Sequence, residues 1–370
     1  MPPYNSVLDR LVDSNACFAL YRTPGCPPTL LLQLEGKPEC LDAPADLNGK
    51  QGFVMAPFVV SGHHPIVLIR PDRTLIGEAA LKEGLEPLLE SLPSRRTQGR
   101  ISPEDLPQDP KRVSNDYTEA FELFHKALMA GSCDKIVLSR TLQKALPDSF
   151  SVGTLFQTAC ERYPEAFVYV CHTEFTGTWL GISPEILLCG KGGHFQTVAL
   201  AGTQKIRQKR VTWDAKNIRE QGIVSDYLEK ELRIHDLNAT RSEPYSVQAG
   251  HLMHRRTDFH FELPDGDRLG DLLQALHPTP AVCGYPKEEA FRLIQAHEGY
   301  DRAYYSGFVG PLDPAADTNV FVNLRCAQLG TNSVMLYAGG GLMPDSERNA
   351  EWEETETKLQ TLLSLMTYQP

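Results

Sequence analysis

The chain has 370 residues, 41% of them hydrophobic and 22% charged, with a net charge of −11. That length buries a large core in one big domain or two smaller ones, while the acidic balance excludes nucleic acid and anionic membrane as main partners, because both need a basic surface. No apolar run approaches the roughly 20 residues of a membrane span, and the start MPPYNSVLDR lacks the basic and apolar parts of an export signal, so a soluble, cytoplasmic protein is expected.

Over residues 15–100, the short apolar runs CFALYR, TLLLQLE, GFVMAPFVV and PIVLIRP are separated by Gly and Pro and predict strands. His63 and His64 have no acidic or thiol partner near them in sequence and read as loop or core histidines. The polar, proline-rich stretch around residues 93–113 reads as a linker or a long surface loop. From residue 114, Tyr117, Phe121, Phe124 and Leu128 recur every three to four residues and predict a helix ending near Gly131. The strand KIVLSR follows, then a helix over 151–162 and the strands FVYVCHT, TWLGISPEILLCG and HFQTVALAG, the last two joined by Lys191, Gly192 and Gly193. Helices over about 213–234, 266–276 and 286–297, a β-meander over 304–338 and a final helix complete the chain. Strands that are neighbours in sequence imply antiparallel sheets with helices outside, an α+β fold. Nine cysteines, with no C-x-x-C pair, sit in apolar settings such as VYVCHT and NLRCAQL and read as reduced core thiols.

Several polar residues interrupt these apolar patterns. In KIVLSR, alternation puts Lys135 on one face with Val137 and Ser139. Such a lysine either reaches water at the strand end or is half-desolvated, which lowers an amine from about 10.4 toward the 7–8 of a general base. In GISPEILL, Pro184 breaks the ladder, and Glu185 either faces solvent or, if buried, becomes a neutral proton donor. Gly202 and Thr203 in VALAGTQ offer donors to a carboxylate or form an ordinary turn. His277 in LHPTPAVCGYP either holds a ligand oxygen or caps a helix. Arg325 is expected in the middle of the apolar strand VNLRCAQL, where its permanent charge needs a carboxylate from protein or ligand. Gly339, Gly340 and Gly341 then feed a helix on which Glu351, Glu354 and Lys358, at i, i+3 and i+7, share a face. Bare amides suit an anion, and clustered carboxylates suit a cation between them; the alternative is a glycine loop before a solvated helix.

Taken in order, KIVLSR, GISPEILL, LAGT, AKNIRE, LHPTPAVCGYP, YDRAYYSGFVGPLD, NLRCAQL and YAGGGLMPDSERNAEWEETETK resemble the chorismate-binding enzymes, a family of isochorismate, salicylate, anthranilate and aminodeoxychorismate synthases. The resemblance covers residues 114–365 almost continuously and implies an α+β fold like the anthranilate synthase large subunit: a large antiparallel β-sandwich surrounded by helices. Residues 1–100 form its β-rich N-terminal part and 101–370 its chorismate-binding core. It further implies Mg2+ held by Glu220 and Glu354 with Glu351 behind them, and leaves Asn217, where the family often has an acid, without a role. Arg325, Tyr305 and Gly341 match residues that hold the enolpyruvyl carboxylate, Lys358 matches one near the ring carboxylate, and Gly202, Thr203 and His277 complete the substrate set. Lys135 stands where water-using members carry a lysine, Glu185 is the matching acid, and ALAGTQ lacks the ammonia-user forms PIAGTxPRG and PIKGT. The expectation is an isochorismate synthase of a menaquinone or siderophore route, acting without an amidotransferase subunit; the alternatives are a salicylate synthase or a catalytically silent chorismate binder.

Overall fold

The strands of the computed structural model fall into two sheets, in which neighbouring strands among the described residues run antiparallel. The structure describes residues 5–91, 110–147, 149–205, 212–249, 252–263, 268–330 and 332–366. Most of the stretch read as a linker lies outside them. The first half of the chain forms α1 (Asn5–Asp13), β1 (Cys17–Arg22), β2 (Thr29–Gln33), β3 (Glu39–Leu41), β4 (Gly52–Ala56), β5 (Ile66–Ile69), β6 (Arg73–Ile76), α2 (Gly77–Ser91), α3 (Pro110–Met129), β7 (Lys135–Ala145), α4 (Val152–Arg162), β8 (Phe167–Thr173), β9 (Gly177–Ser183), β10 (Ile186–Lys191) and β11 (His194–Lys205). The second half forms α5 (Ala215–Ile234), β12 (Thr240–Arg241), β13 (Tyr245–Ala249), β14 (Leu252–Glu262), α6 (Leu269–Leu276), β15 (Gly284–Tyr285), α7 (Lys287–His297), β16 (Phe308–Leu312), β17 (Asp317–Val322), β18 (Cys326–Leu329), β19 (Ser333–Leu342) and α8 (Arg348–Met366).

One sheet has the order β15-β7-β19-β18-β9-β8-β1-β2-β6, the other β12-β14-β11-β10-β17-β16-β4-β5-β3, with β13 added on β14. Alternation along β8 shows how the layers form: Phe167, Tyr169 and Cys171 enter the core between the sheets with Phe53, Met55 and Phe321, while Val168 and Val170 face α1, α4 and α8. A second outer core packs α5 and α6 on the other sheet, and a third packs α3 and α7 beside β7. The N-terminal strands extend both sheets at their edges.

Two features depart from the sequence reading for a common reason, that alternation reports a strand's faces but not its sheet. TWLGISPEILLCG is not one strand: β9 ends at Ser183 in the first sheet and β10 starts at Ile186 in the second, with Pro184 and Glu185 crossing between them. Likewise 304–338 is not one meander, since β16 and β17 belong to the second sheet and β18 and β19 to the first, so the chain crosses back between Val322 and Cys326. Arg325 therefore lies in this crossing with a left-handed φ of 48° rather than inside a strand. The helix α2 was not anticipated, although Leu81 and Leu85 at i, i+4 marked it and are buried. All nine cysteines are free, but Cys26 and Cys40 are exposed rather than in the core.

A buried ion pair holds β7 in place. Arg302 donates to Glu298 through Nε (2.5 Å) and Nη2 (2.6 Å), and to the carbonyls of Val282 (2.8 Å) and Val137 (2.9 Å). Glu298 also accepts from the Ser139 amide (2.8 Å) and hydroxyl (2.7 Å), so three chain segments meet on one pair whose side chains are 2% and 1% exposed. Removing one partner leaves a buried charge uncompensated. Glu298→Gln is expected to lower the unfolding free energy by about 3–5 kcal/mol, measured by denaturant melts; a loss within experimental error would show that the pair is not a structural anchor.

Candidate active site

Three successive glycines form the floor of a cleft between the sheets. On β19, Gly339 pairs with Ser139, Gly340 with Leu138 and Gly341 with Val137 of β7. A Cβ on Gly339 would come within 2.8 Å of the Tyr305 hydroxyl; one on Gly341 would overlap Glu220 and come within 2.7 Å of Lys135 Cε. A Cβ on Gly340 would instead lie 3.3 Å from Glu351 Oε2 and 3.5 Å from Glu354 Oε1. The absent side chains thus let charged groups from α5, α8 and β7 reach the backbone.

Each of those groups has a reason to be where it is. Lys135 shares a face with Val137 and is fully buried, which excludes a lysine reaching water; its Nζ lies 3.0 Å from Glu220 Oε1. Glu220 belongs to α5, which is capped by Asp214 accepting from the Asn217 amide. Helix α8 is fixed on β7 by Arg140, which donates to Thr355 Oγ1 (2.7 Å), pairs with Glu356 and stacks on Trp352 at 3.8 Å. This places Lys358 Nζ 2.8 Å from the Gly339 carbonyl and 2.6 Å from Glu354, while the buried Glu351 pairs with Lys216. Burial opposes ionisation of Glu354, but Lys358, Lys216 and Arg325 outweigh it and hold the carboxyl below its usual range; burial and the neighbouring Glu354 raise Glu351.

The two crossings supply the remaining charged groups and are stitched to each other. The Val322 amide donates to the Glu185 carbonyl (2.9 Å), the Ser183 hydroxyl to the Val322 carbonyl (2.6 Å), and the Ile182 amide to the Arg325 carbonyl (3.1 Å). Glu185 is only 4% exposed, so the solvent-facing alternative fails. Burial pushes its carboxyl up to about 8 against the pull of Lys135, Lys358 and Arg325. Arg325 has no carboxylate within 4.0 Å among the described residues; its side chain contacts Thr361 Oγ1 and His254 Nε2, both at 3.5 Å. A partly enclosed guanidinium without a protein counterion is arranged for an anion from outside.

Glu185, Gly202, Thr203, Glu220, Tyr305, Arg325, Gly341 and Lys358 all line this cleft. Lys135, Glu351 and Glu354 stand behind its surface. His277 does not reach it: the ring packs edge-on against Phe308 at 5.2 Å, beside the Pro57–Phe58 backbone. Gly202 is no ordinary turn but a bulge of β11 with φ 75°, and the Thr203 amide is already committed to Asn217 Oδ1 at 3.0 Å. Asn217 therefore has a structural duty that its sequence position did not reveal. His254 was missed as well, since nothing in HLMHRRTDF marks it as facing a cleft.

A family model described as chorismate binding enzyme matches residues 75–367. The chain belongs to the chorismate-binding enzymes. Among curated members of that family, the vibriobactin-specific isochorismate synthase of Vibrio cholerae is 30% identical over 241 residues, 62% of this chain and 61% of that protein. Isochorismate synthase EntC of Escherichia coli is 30% identical over 63% of this chain and 62% of its own length, so the match spans about three fifths of each of these two relatives. Isochorismate synthase DhbC of Bacillus subtilis is 30% identical over 68% of this chain and 67% of its own. Among solved structures, the menaquinone-specific isochorismate synthase MenF of Escherichia coli aligns with a TM-score of 0.74 at 22% identity, covering 97% of this chain and 91% of that one. Anthranilate synthase component I of Streptococcus pneumoniae aligns with a TM-score of 0.66 at 18% identity, covering 94% and 90%. These structural likenesses concern the fold, which is the expected α+β sandwich with helices outside. No helix among the described residues is long and apolar enough to cross a membrane.

The raised Glu185 pKa fixes a sign. The folded chain holds this proton from the ordinary value of 4.5 up to about 8, where the unfolded chain has released it, so the native state binds more protons and stability falls as pH rises through that window. Denaturant melts should show Glu185→Gln gaining stability relative to the unsubstituted chain between pH 5 and 8. A difference that does not change with pH would mean that the folded carboxyl is ionised.

Proposed function

We propose that this chain is an isochorismate synthase, a hydroxymutase-type isomerase that adds water at C2 of chorismate and releases the C4 hydroxyl. The observation that carries the reading is the pair of crossings: they present a buried, proton-holding Glu185 and an Arg325 without a counterion to one glycine-floored cleft. A substrate carboxylate supplies the missing anion for Arg325, the Tyr305 hydroxyl and Gly341 backbone of the same cleft assist it, and Lys358 meets the ring carboxylate. The Thr203 hydroxyl and Gly202 also line the cleft. The relatives' names point to the same reaction, one of them vibriobactin-specific and another menaquinone-specific.

Glu185 is the general acid. Its proton is present near neutral pH and goes to the departing C4 hydroxyl. Lys135, acting as the free amine, is the base that takes a proton from the attacking water. Glu220, not Lys135, forms the cleft surface, so the water has to approach the lysine past the Glu220 carboxylate. Holding both ends of the substrate in one orientation supplies up to about 7–11 kcal/mol of the barrier reduction.

The residues fit Mg2+ as cofactor. Carboxylates from α5 and α8 converge on two glycines, where a Cβ on Gly341 would overlap Glu220 and one on Gly340 would press on Glu351, and the donors are all oxygens. Among the described residues no three acidic, His or Cys side chains form a cluster that could hold an ion. By their positions in the family's motifs, Glu220 and Glu354 would hold the ion, with Glu351 behind them and substrate and water oxygens completing the shell, as magnesium usually keeps several waters. Bound there, it would neutralise and orient the ring carboxylate.

Incubating the purified protein with chorismate and Mg2+ and resolving the products by chromatography tests the reading. Isochorismate is expected, with no anthranilate from added ammonium salts. Pyruvate release with a rise in salicylate fluorescence would assign the salicylate synthase reaction instead, and no product would leave a silent binder. Excess chelator should abolish turnover; full turnover in its presence would exclude the metal. Lys135→Ala should lower kcat by about 10²- to 10⁴-fold with little change in chorismate affinity, the scale of a general base, and a normal kcat would remove Lys135 from the chemistry.

A further inference from the structure

His254 takes no part in the mechanism above, yet it sits in the cleft wall between the Gly202 bulge and Arg325. It is 5% exposed and stands opposite Thr203 where β11 bulges against β14. Nδ1 lies 3.2 Å from the Gly202 carbonyl oxygen and 3.3 Å from the Thr203 hydroxyl, and Nε2 lies 3.5 Å from Nη2 of Arg325. A carbonyl oxygen only accepts, so the bond to Gly202 places the ring proton on Nδ1 and leaves Nε2 with a free lone pair. Burial, reinforced by Arg325 and Lys358, pushes the imidazole down to about 3, which keeps the ring neutral. Arg325 needs such an acceptor. Its guanidinium stands on the wall shared by the cleft and a neighbouring cavity of about 470 Å³ that Val247 and Arg256 also line, so there is room on both sides. Only Thr361 on one side and His254 on the other steady the fork among the described residues.

We propose that His254 is a positioning residue: anchored through Nδ1–H on the Gly202 carbonyl, it aims Nε2 at Arg325 and keeps the guanidinium turned into the cleft for the substrate carboxylate. This rests on the reading of Arg325 as the carboxylate holder of a chorismate-converting enzyme. His254 then acts on substrate capture and moves no proton. It also makes the Gly202 bulge part of the carboxylate site indirectly, through the carbonyl rather than through the Thr203 amide.

The test compares the unsubstituted enzyme with His254→Leu, His254→Gln, Arg325→Ala and the His254→Leu/Arg325→Ala double variant. Chorismate kinetics, chorismate affinity by calorimetry and thermal melts are measured for each. Leu removes both ring nitrogens, whereas Gln keeps an amide oxygen able to accept from Arg325. His254→Leu should raise KM and Kd about 10- to 100-fold with kcat within about twofold, the scale of a hydrogen bond to a charged group. His254→Gln should recover most of that loss, and His254→Leu should add nothing once Arg325 is Ala. Unchanged affinity in His254→Leu, a loss confined to kcat, a lowered melting temperature without weaker binding, or an equal effect in the Arg325→Ala background would each overturn the proposal. If the unsubstituted protein binds chorismate without converting it, the isochorismate synthase reading fails while the affinities still decide the role of His254; if it binds none, both fall.

Discussion

Where a chain passes from one sheet of a sandwich to the other, its backbone groups lose both ladders and must find partners elsewhere. Here the two passages, at Ser183–Glu185 and Val322–Arg325, solve that problem with each other: three hydrogen bonds join them side by side. The rest of the site depends on this joint. Side chains leaving it cannot enter either ordinary core face, so they point into the gap between the sheets. One of them is a carboxyl that burial keeps protonated and the other a guanidinium that stays charged. An acid and an anion holder are thereby fixed as neighbours, although 140 positions separate them in the chain.

The floor of the cleft follows from a complementary constraint, the lack of side chains on β19. Bare backbone at Gly339–Gly341 lets Lys135, Glu220, Tyr305 and the acidic face of α8 come close. The charge is balanced locally: Lys135 lies beside Glu220, Lys358 beside Glu354 and Lys216 beside Glu351. The same carboxylates could not serve the lysines and a divalent cation at full strength, so the proposed metal binding would loosen a lysine. Behind β7, the Glu298–Arg302 pair keeps Lys135 at this height against the glycines. A net acidic chain thus concentrates positive charge in one place, where the proposed dicarboxylate would need it.

Much of this was legible in sequence wherever the signal was local. The period of two in KIVLSR puts Lys135 with Val137, which lines the cleft, while Ile136 and Leu138 pack on α3 and α7. The i, i+3, i+7 spacing places Glu351, Glu354 and Lys358 on the face of α8 that meets β19. What local pattern does not carry is the assignment of strands to sheets, so the crossings at Pro184 and Asn323–Arg325 were read through as continuous strand. The errors about Arg325 and the solvent-facing alternative for Glu185 share that origin. His277 sits in a distinctive motif but faces Phe308, because the direction of a loop side chain is set by tertiary packing. His254 and Asn217 gain their roles only from the bulge at Gly202, a pairing between segments about 50 and 15 residues apart that no periodicity reports.

In the proposed reaction a water molecule, activated on the Lys135 side and answered by Glu185, becomes the new hydroxyl of the product. Carrying out the reaction in water enriched in ¹⁸O and analysing isochorismate formed early, by mass spectrometry, tests this most directly. The account predicts product carrying one labelled oxygen, at C2. Unlabelled isochorismate would mean that the hydroxyl migrates within the substrate, and would contradict the assignment of Lys135 and Glu185 as base and acid of a water addition.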